Sequence, residues 1–277
     1  MKVYLRTYGC RANHYDTEAV RAILAQSGVI ETADIADADA AIFNSCTVTA
    51  AAEADLRADV RAASRVNPSL RTVVMGCAAG LPTRDETVAP LRSLPTVHAV
   101  VPGADLSGIG EALGIDFSFA GLSRTEIQTG ARALLRIQDG CDEHCTFCAT
   151  TLSRGSSRSQ SVDEIVGEAR ILAASHPEIV LTGIHIGSYG ADIGSSLGRL
   201  VETLVSRVDN VRFRLTSVEA TEVDERLAEL LVADSRRVAP HLHAPLQSGS
   251  NTILKRMGRN WYVAESYRAA ISRIFEK

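Results

Sequence analysis

Gly140-Cys141-Asp142-Glu143-His144-Cys145-Thr146-Phe147-Cys148 places three thiols in one short loop, in the order Cys-x3-Cys-x2-Cys. Three sulfurs this close cannot all bridge one another, so a shared inorganic centre is the natural reading. Thiolates select zinc or iron–sulfur clusters. A closed zinc site wants four ligands, usually as two separated pairs, and no second pair follows. Three thiolates on a four-iron cluster leave one iron without a protein ligand, where a small molecule can bind and be reduced. The competing reading is a zinc loop with His144 as fourth ligand; its position directly beside Cys145 makes joint chelation of one ion awkward.

The loop follows a short β-rich run, Ala133 to Gln138, and the rest of the chain supports an α/β protein around it. The 277 residues suit one large or two medium domains, and 45% hydrophobic with 22% charged is an ordinary globular composition. A net charge of −4 announces no global basic field. No run of eighteen apolar residues spans a membrane, and Arg6 interrupts the apolar Val3-Tyr4-Leu5, so there is no signal-peptide core. A cytoplasmic protein with reduced thiols is expected.

Upstream, strands are expected at Lys2 to Thr7, Ala40 to Phe43, Arg71 to Met75 and Val97 to Val101. Helices are expected at about Tyr15 to Gln26, capped by Asn13 or Asp16, at Ala50 to Arg65, and at Ala104 to Leu113. Such alternation predicts a parallel sheet, whose ligands bind beyond the carboxyl ends of its strands. Cys10, Cys46 and Cys77 each fall at the end of a different predicted strand, the pattern of a shared ligand set rather than of scattered core thiols. Residues 1–115 are therefore expected to form an N-terminal parallel α/β domain with a second cluster. Residues 116–132, without periodicity, read as a linker.

Downstream, Ser161 with Glu164 reads as a capping box. Strands at Glu178 to Thr182, Val211 to Leu215 and His241 to Leu246 alternate with helices at Leu197 to Arg207 and Asp224 to Ala233, and a helical tail closes the sequence. Residues 133–277 thus read as a partial (β/α) barrel with its site at the strand carboxyl ends. Lys255, Arg256 and Arg259 form a basic face, for RNA phosphate or plain solvation.

The Cys-x3-Cys-x2-Cys loop, with Phe147 before its last cysteine, resembles the signature of radical S-adenosylmethionine (SAM) enzymes. Tyr8-Gly9-Cys10-Arg11-Ala12-Asn13, Asn44-Ser45-Cys46-Thr47-Val48-Thr49 and Gly76-Cys77-Ala78 are similar to the cysteine motifs of the methylthiotransferase N-terminal domain. The resemblance implies two 4Fe-4S clusters. Cys141, Cys145 and Cys148 hold the one that cleaves SAM to a 5′-deoxyadenosyl radical; Cys10, Cys46 and Cys77 hold an auxiliary one that serves sulfur insertion into a C–H bond. Phe147 fits the family's pattern in the SAM-binding loop. In radical SAM barrels the strand carboxyl ends hold the cofactor, which by position offers Gly183, Ser217, Glu219 and Gln247 as SAM contacts, and by charge Arg154 and Arg158 face phosphate or the SAM carboxylate. From position alone, Gly183 is equally a turn glycine, Ser217 and Glu219 helix caps, and Arg154 part of a solvated loop. This chain has Thr151 and Leu152 where the family usually has a Pro and an aromatic residue.

Within the family, Asn44 to Thr49 and Gln138 to Cys141 look most like the enzymes acting on N6-threonylcarbamoyladenosine beside the tRNA anticodon. Branches acting on isopentenyladenosine or on a ribosomal-protein aspartate are the alternatives. A tRNA substrate, a flavodoxin- or ferredoxin-type reductant and a sulfur donor follow as implied partners. Family barrels have about six βα units and a C-terminal RNA-binding domain, so the sequence reads as truncated. An iron–sulfur sensor or electron carrier is the non-catalytic alternative.

Overall fold

The computed structural model describes residues 1–47, 49–81, 88–117 and 128–276. The predicted linker falls largely outside them, as does Val48 of the second cysteine motif. Two compact units are present: Met1–Gln128 together with Leu152–Arg154, and Thr129–Thr151 together with Gly155–Lys277.

In the first unit the elements run β1 (Lys2–Thr7), α1 (Arg11–Gln26), β2 (Ile30–Glu31), β3 (Ala40–Ser45), α2 (Ala50–Val66), β4 (Arg71–Gly76), α3 (Val88–Arg92), β5 (Val97–Pro102) and α4 (Leu106–Leu113). The sheet has the order β2-β1-β3-β4-β5, and all its pairings are parallel. Alternation along the strands divides its two faces. Ala41, Phe43 and Val74 pack with Leu56 and Val60 of α2 on one face. Ala40, Ile42, Val73 and Met75 pack with Val20 and Leu24 of α1 and Ile109 and Leu113 of α4 on the other. Both faces are covered by helices, as a parallel sheet requires.

Helix α1 begins at Arg11, four residues before the start expected from sequence, with Cys10 at its N-cap position and no side-chain cap. Asn13 and Asp16 do not cap it. Both are buried inside the helix, where their side chains serve other partners.

In the second unit β6 (Ala133–Arg136) and β7 (Gln138–Asp139) precede α5 (Thr150–Arg154), whose last three residues belong to the first unit. Then come β8 (Arg158–Ser159), α6 (Val162–Ala173), β9 (Glu178–Thr182), α7 (Leu197–Arg207), β10 (Arg212–Leu215), α8 (Glu225–Ala233), α9 (Asn251–Arg256) and α10 (Ala264–Phe275). Ser161 and Glu164 make the predicted reciprocal capping box at the start of α6. The parallel order is β10-β9-β6, and α6, α7 and α8 pack on its core.

The strand expected over residues 241–246 does not form. Only isolated bridges, Phe213 to Val238 and Ser217 to His243, continue the sheet past β10. Pro240 precedes this stretch and Pro245 lies within it; each lacks an N–H and fixes its own φ, which works against a regular ladder.

The amino end of β9 is clamped by charge. Glu178, its first residue and buried, accepts from Arg212 Nε and Arg214 Nε at 2.6 Å each on β10, with Arg132 3.5 Å away. Burial pushes the Glu178 carboxyl up, but the hydrogen bonds from Arg214 and Arg212 outweigh it and hold the group below its usual range. Its folded value lies below its unfolded one, so its stabilisation is present above the ordinary carboxylate range and is lost as pH falls through the folded value. Because the arginines are partly solvent-exposed, Glu178→Gln is expected to cost about 1–3 kcal/mol near neutral pH. Urea unfolding of variant and parent should show that gap closing in acid; a gap independent of pH contradicts the assignment.

Candidate functional site

Two cysteine groups are built, one in each unit. The 2-1-3-4-5 sheet reverses its winding between β1 and β3, and the crevice beyond the carboxyl ends of such strands is where ligands bind. Cys10 follows β1, Cys46 follows β3 and Cys77 follows β4. Gly9 and Gly76 precede two of these cysteines with φ of +94° and +93°, a region that L side chains rarely adopt. At Gly9 a Cβ would lie 2.5 Å from Cys46 Sγ, and at Gly76 it would run into Asn44 Oδ1. The glycines are what allow the strand ends to close around the sulfurs.

Asn13 is the hub of the first group, fully buried. Its Nδ2 donates to Tyr8 O at 2.9 Å and Ser45 O at 2.7 Å, tying the ends of β1 and β3. Its Oδ1 faces two thiols, Cys77 Sγ at 3.4 Å and Cys10 Sγ at 4.0 Å. Burial pushes the Cys77 thiol up and Arg154 opposes this, while Cys10 and Cys46 push it further up. A Cβ placed at Gly9 would meet both Cys46 Sγ and Asn13 Nδ2, which puts Cys46 beside the same hub. Arg154 was expected at phosphate or the SAM carboxylate. It lies instead in the first unit, donating to Cys77 Sγ, Asn13 and Asp16.

We expect Gly9→Ala to force both a strained φ and a collision with Cys46. The chain should lose several kcal/mol of stability, roughly 2–4, and fail to retain iron in the first group. Chemical denaturation and iron analysis test this; unchanged iron content would show that Cys46 needs no such clearance.

The second group is the loop after β7. Gln138, fully buried, pins its frame: Nε2 donates to Gly140 O at 2.7 Å, and Oε1 accepts from Ile184 N and His185 N at 3.1 and 2.9 Å. Gly140 has φ +72°, and a Cβ there would run into Ser156 O. Thr146 N donates to Met257 O at 3.0 Å, anchoring the loop to the end of α9. Backbone N–H groups face two of the sulfurs: Glu143 N donates to Cys141 Sγ and Thr150 N to Cys148 Sγ, each at 3.4 Å. Such donors favour thiolates. Burial pushes the Cys145 thiol up, Arg259 pulls it down, and Cys148 and Cys141 push it up.

Polar groups surround the loop. His185 Nδ1 lies 3.8 Å from Cys141 Sγ and its Nε2 lies 2.6 Å from Glu222 Oε1. Burial works against the imidazolium, but hydrogen bonds with Cys141 and Glu222 prevail and lift His185 to about 10. Glu143 is raised by burial, with His185 opposing and Glu219 and Glu222 adding.

Glu219 is buried and committed to Arg259 and Trp261 Nε1. The guanidinium of Arg259 lies 5.9 Å from the ring centre of Phe147 and 5.2 Å from that of Trp261. Arg259 is therefore not part of an exposed basic face. Phe147 itself is exposed, as are Ser217, whose Oγ is 2.8 Å from His243 Nδ1, and Gln247, with φ +64°. At Gly183 a Cβ would lie 2.6 Å from Gln138 O, so close chain packing already demands glycine there. Sequence reading missed Asn13, Gln138, His185 and Glu222 as site residues; Asn13 carries the composition of a helix cap, which hides its role.

Among the described residues no group of three or more His, Cys, Asp or Glu is set to hold a single metal ion. The donor chemistry fits an iron–sulfur cluster: thiols in threes, N–H groups on their sulfurs, and a buried Arg259 Nε with no hydrogen-bond partner close to Cys145. Cys141, Cys145 and Cys148 would hold one cluster; Cys10, Cys46 and Cys77 offer a second such set.

Comparison with known proteins accords with the two-unit arrangement. Residues 2–93 match the family described as Uncharacterized protein family UPF0004, and residues 135–276 match the Radical SAM superfamily. The threonylcarbamoyladenosine tRNA methylthiotransferase MtaB of Bacillus subtilis (strain 168) is 34% identical over 94% of this chain, which spans 60% of that relative's length. MtaB of Aquifex aeolicus (strain VF5) is 32% identical over 100% of this chain and 70% of its own length. The tRNA-2-methylthio-N(6)-dimethylallyladenosine synthase of Staphylococcus epidermidis (strain ATCC 35984) is 31% identical over 98% of this chain and 56% of its own. A solved D-psicose 3-epimerase of Clostridium cellulolyticum H10 aligns over 100% of this chain at 10% identity and a TM-score of 0.26, too slight a likeness to bear on the fold. With a three-cysteine loop after β7 and a trio of strand-end cysteines before it, the chain belongs to the radical SAM superfamily and, within it, to the methylthiotransferases.

Proposed function

We propose that this protein is a tRNA methylthiotransferase that uses SAM and two four-iron clusters to install a methylthio group on N6-threonylcarbamoyladenosine next to the anticodon. The observation that carries the reading is the gathering of Cys10, Cys46 and Cys77 around Asn13 at the switch point of the first sheet. A chain that only generated a radical would need the second loop alone. When bound, the cluster of that loop would deliver an electron to SAM.

The chain's own residues then divide the remaining work. Gln138 and Gly140 fix the loop's exit from β7. His185, oriented by Glu222, holds its ring toward Cys141 Sγ. Glu219 aims Arg259 between Phe147 and Trp261, leaving Nε of Arg259 available to an anionic group beside Cys145. Phe147, Gly183, Ser217 and Gln247 remain candidate contacts for SAM. The choice of base rests on the two MtaB relatives and the matching residues Asn44 to Thr49. Isopentenyladenosine is the next candidate, through the synthase relative. Among the described residues no helix is long and apolar enough to cross a membrane; cytoplasmic location, an electron donor of flavodoxin or ferredoxin type and a separate sulfur source complete the proposal.

Anaerobic reconstitution tests the chemistry: about eight irons per chain are expected from two four-iron clusters, with 5′-deoxyadenosine formed from SAM under reductant. Mass spectrometry of tRNA nucleosides from cells lacking the gene tests the substrate. Loss of the methylthio form of threonylcarbamoyladenosine supports the reading; loss of the isopentenyl product transfers the assignment, and an unchanged nucleoside profile defeats it.

A further inference from the structure

Arg154 has a task that the cysteine motifs alone do not supply. Its side chain is 3% exposed and its partner Asp16 is 1% exposed. Nη2 donates to Asp16 Oδ2 and to Asn13 Oδ1, both at 2.7 Å. The same guanidinium sends Nε to Cys77 Sγ at 3.2 Å. A buried ion pair is a weak source of stability, because desolvation consumes most of its attraction. Its geometry, by contrast, is specific. A planar fork held at one nitrogen by two oxygens has its other N–H aimed in a fixed direction, and here that direction is a sulfur.

We propose that Arg154 is a positioning residue for the first cysteine trio: clamped by Asp16 and Asn13, it donates to Cys77 Sγ and raises the reduction potential of the iron–sulfur group that Cys77 ligates. This rests on the auxiliary-cluster reading given above. On reduction a cluster gains one negative charge, and hydrogen bonds to its sulfurs stabilise the more negative state. Asp16 offsets the guanidinium's net charge, so the hydrogen bond carries the larger share of the effect. Charge-assisted bonds of this kind are about twice as strong as neutral ones.

The test uses the full chain with Cys141, Cys145 and Cys148 all changed to Ala, so that any four-iron cluster is held by the first trio. Iron content, thermal unfolding and an EPR-monitored redox titration are then compared between this background and Arg154→Lys or Arg154→Met added to it. Lysine keeps the charge pair with Asp16, but its three donors radiate from one nitrogen and lack the fixed fork by which Arg154 reaches Asp16 and Cys77 from different nitrogens. Arg154→Lys should therefore keep its iron and its fold while lowering the midpoint. The oxidised-to-reduced ratio at the parent's midpoint should rise about tenfold, or about 59 mV for one electron. Arg154→Met should shift it at least as far; if that variant fails to fold, the pair Asp16→Asn with Arg154→Met removes both buried charges and replaces it. An unchanged potential in folded, iron-loaded variants overturns the proposal. Loss of iron from a folded Arg154→Lys also overturns it, since a donor that tunes leaves the ligands in place. If the background itself binds no iron, the auxiliary-cluster reading falls instead, whatever Arg154 does.

Discussion

Cys46→Ala is expected to abolish the methylthio product while leaving cleavage of SAM intact. Cys46 is 2% exposed at the end of β3, with its sulfur against the backbone of Gly9. Its loss removes one of the three cysteines of the first unit. The groups that hold Cys141, Cys145 and Cys148, namely Gln138, Met257 and the loop's own amides, belong to the other unit and are untouched. Iron should fall by about half, from about eight to about four per chain. Formation of 5′-deoxyadenosine should stay within a few-fold of the parent, and the fold should lose only about 1 kcal/mol, the central cost of a single substitution. Product analysis by nucleoside mass spectrometry decides the matter: surviving methylthiolation would mean that the first trio has no part in sulfur chemistry.

Cys145→Ala should do the reverse to iron and remove both products at once. Cys145 O accepts from Cys148 N at 3.1 Å, a backbone bond that the substitution preserves, and Thr146 stays anchored to Met257. The loop therefore keeps its path and loses one ligand. Without the cluster there is no electron for SAM, so 5′-deoxyadenosine formation should drop by about three orders of magnitude or more, about 4 kcal/mol in barrier terms. The first trio should keep its four irons. A variant that still cleaved SAM would remove Cys145 from the ligand set and reopen the zinc reading of the loop.

The readable part of this protein was the part written locally. Strands that end in cysteine, glycines before Cys10, Cys77 and Cys141, and the Ser161–Glu164 box are all short-range signals, and each has its counterpart in the structure. What escaped was set by partners far away in sequence. Asn13 and Asp16 carry the composition of helix caps, but their side chains meet Ser45, Cys77 and Arg154 from 32 to 141 residues away. Arg259 sits in a run of basic residues, and nothing adjacent to it announces Glu219, 40 residues earlier. The strand expected over 241–246 fails for a local reason: Pro240 and Pro245 cannot donate to a ladder.

The Glu178 clamp gives the second unit an asymmetry with evolutionary weight. Cohesion concentrated at the amino ends of β9 and β10 frees the opposite rim from having to hold the sheet together. Loops there can change without unravelling the scaffold. Robustness at one margin is thus what makes innovation at the other affordable.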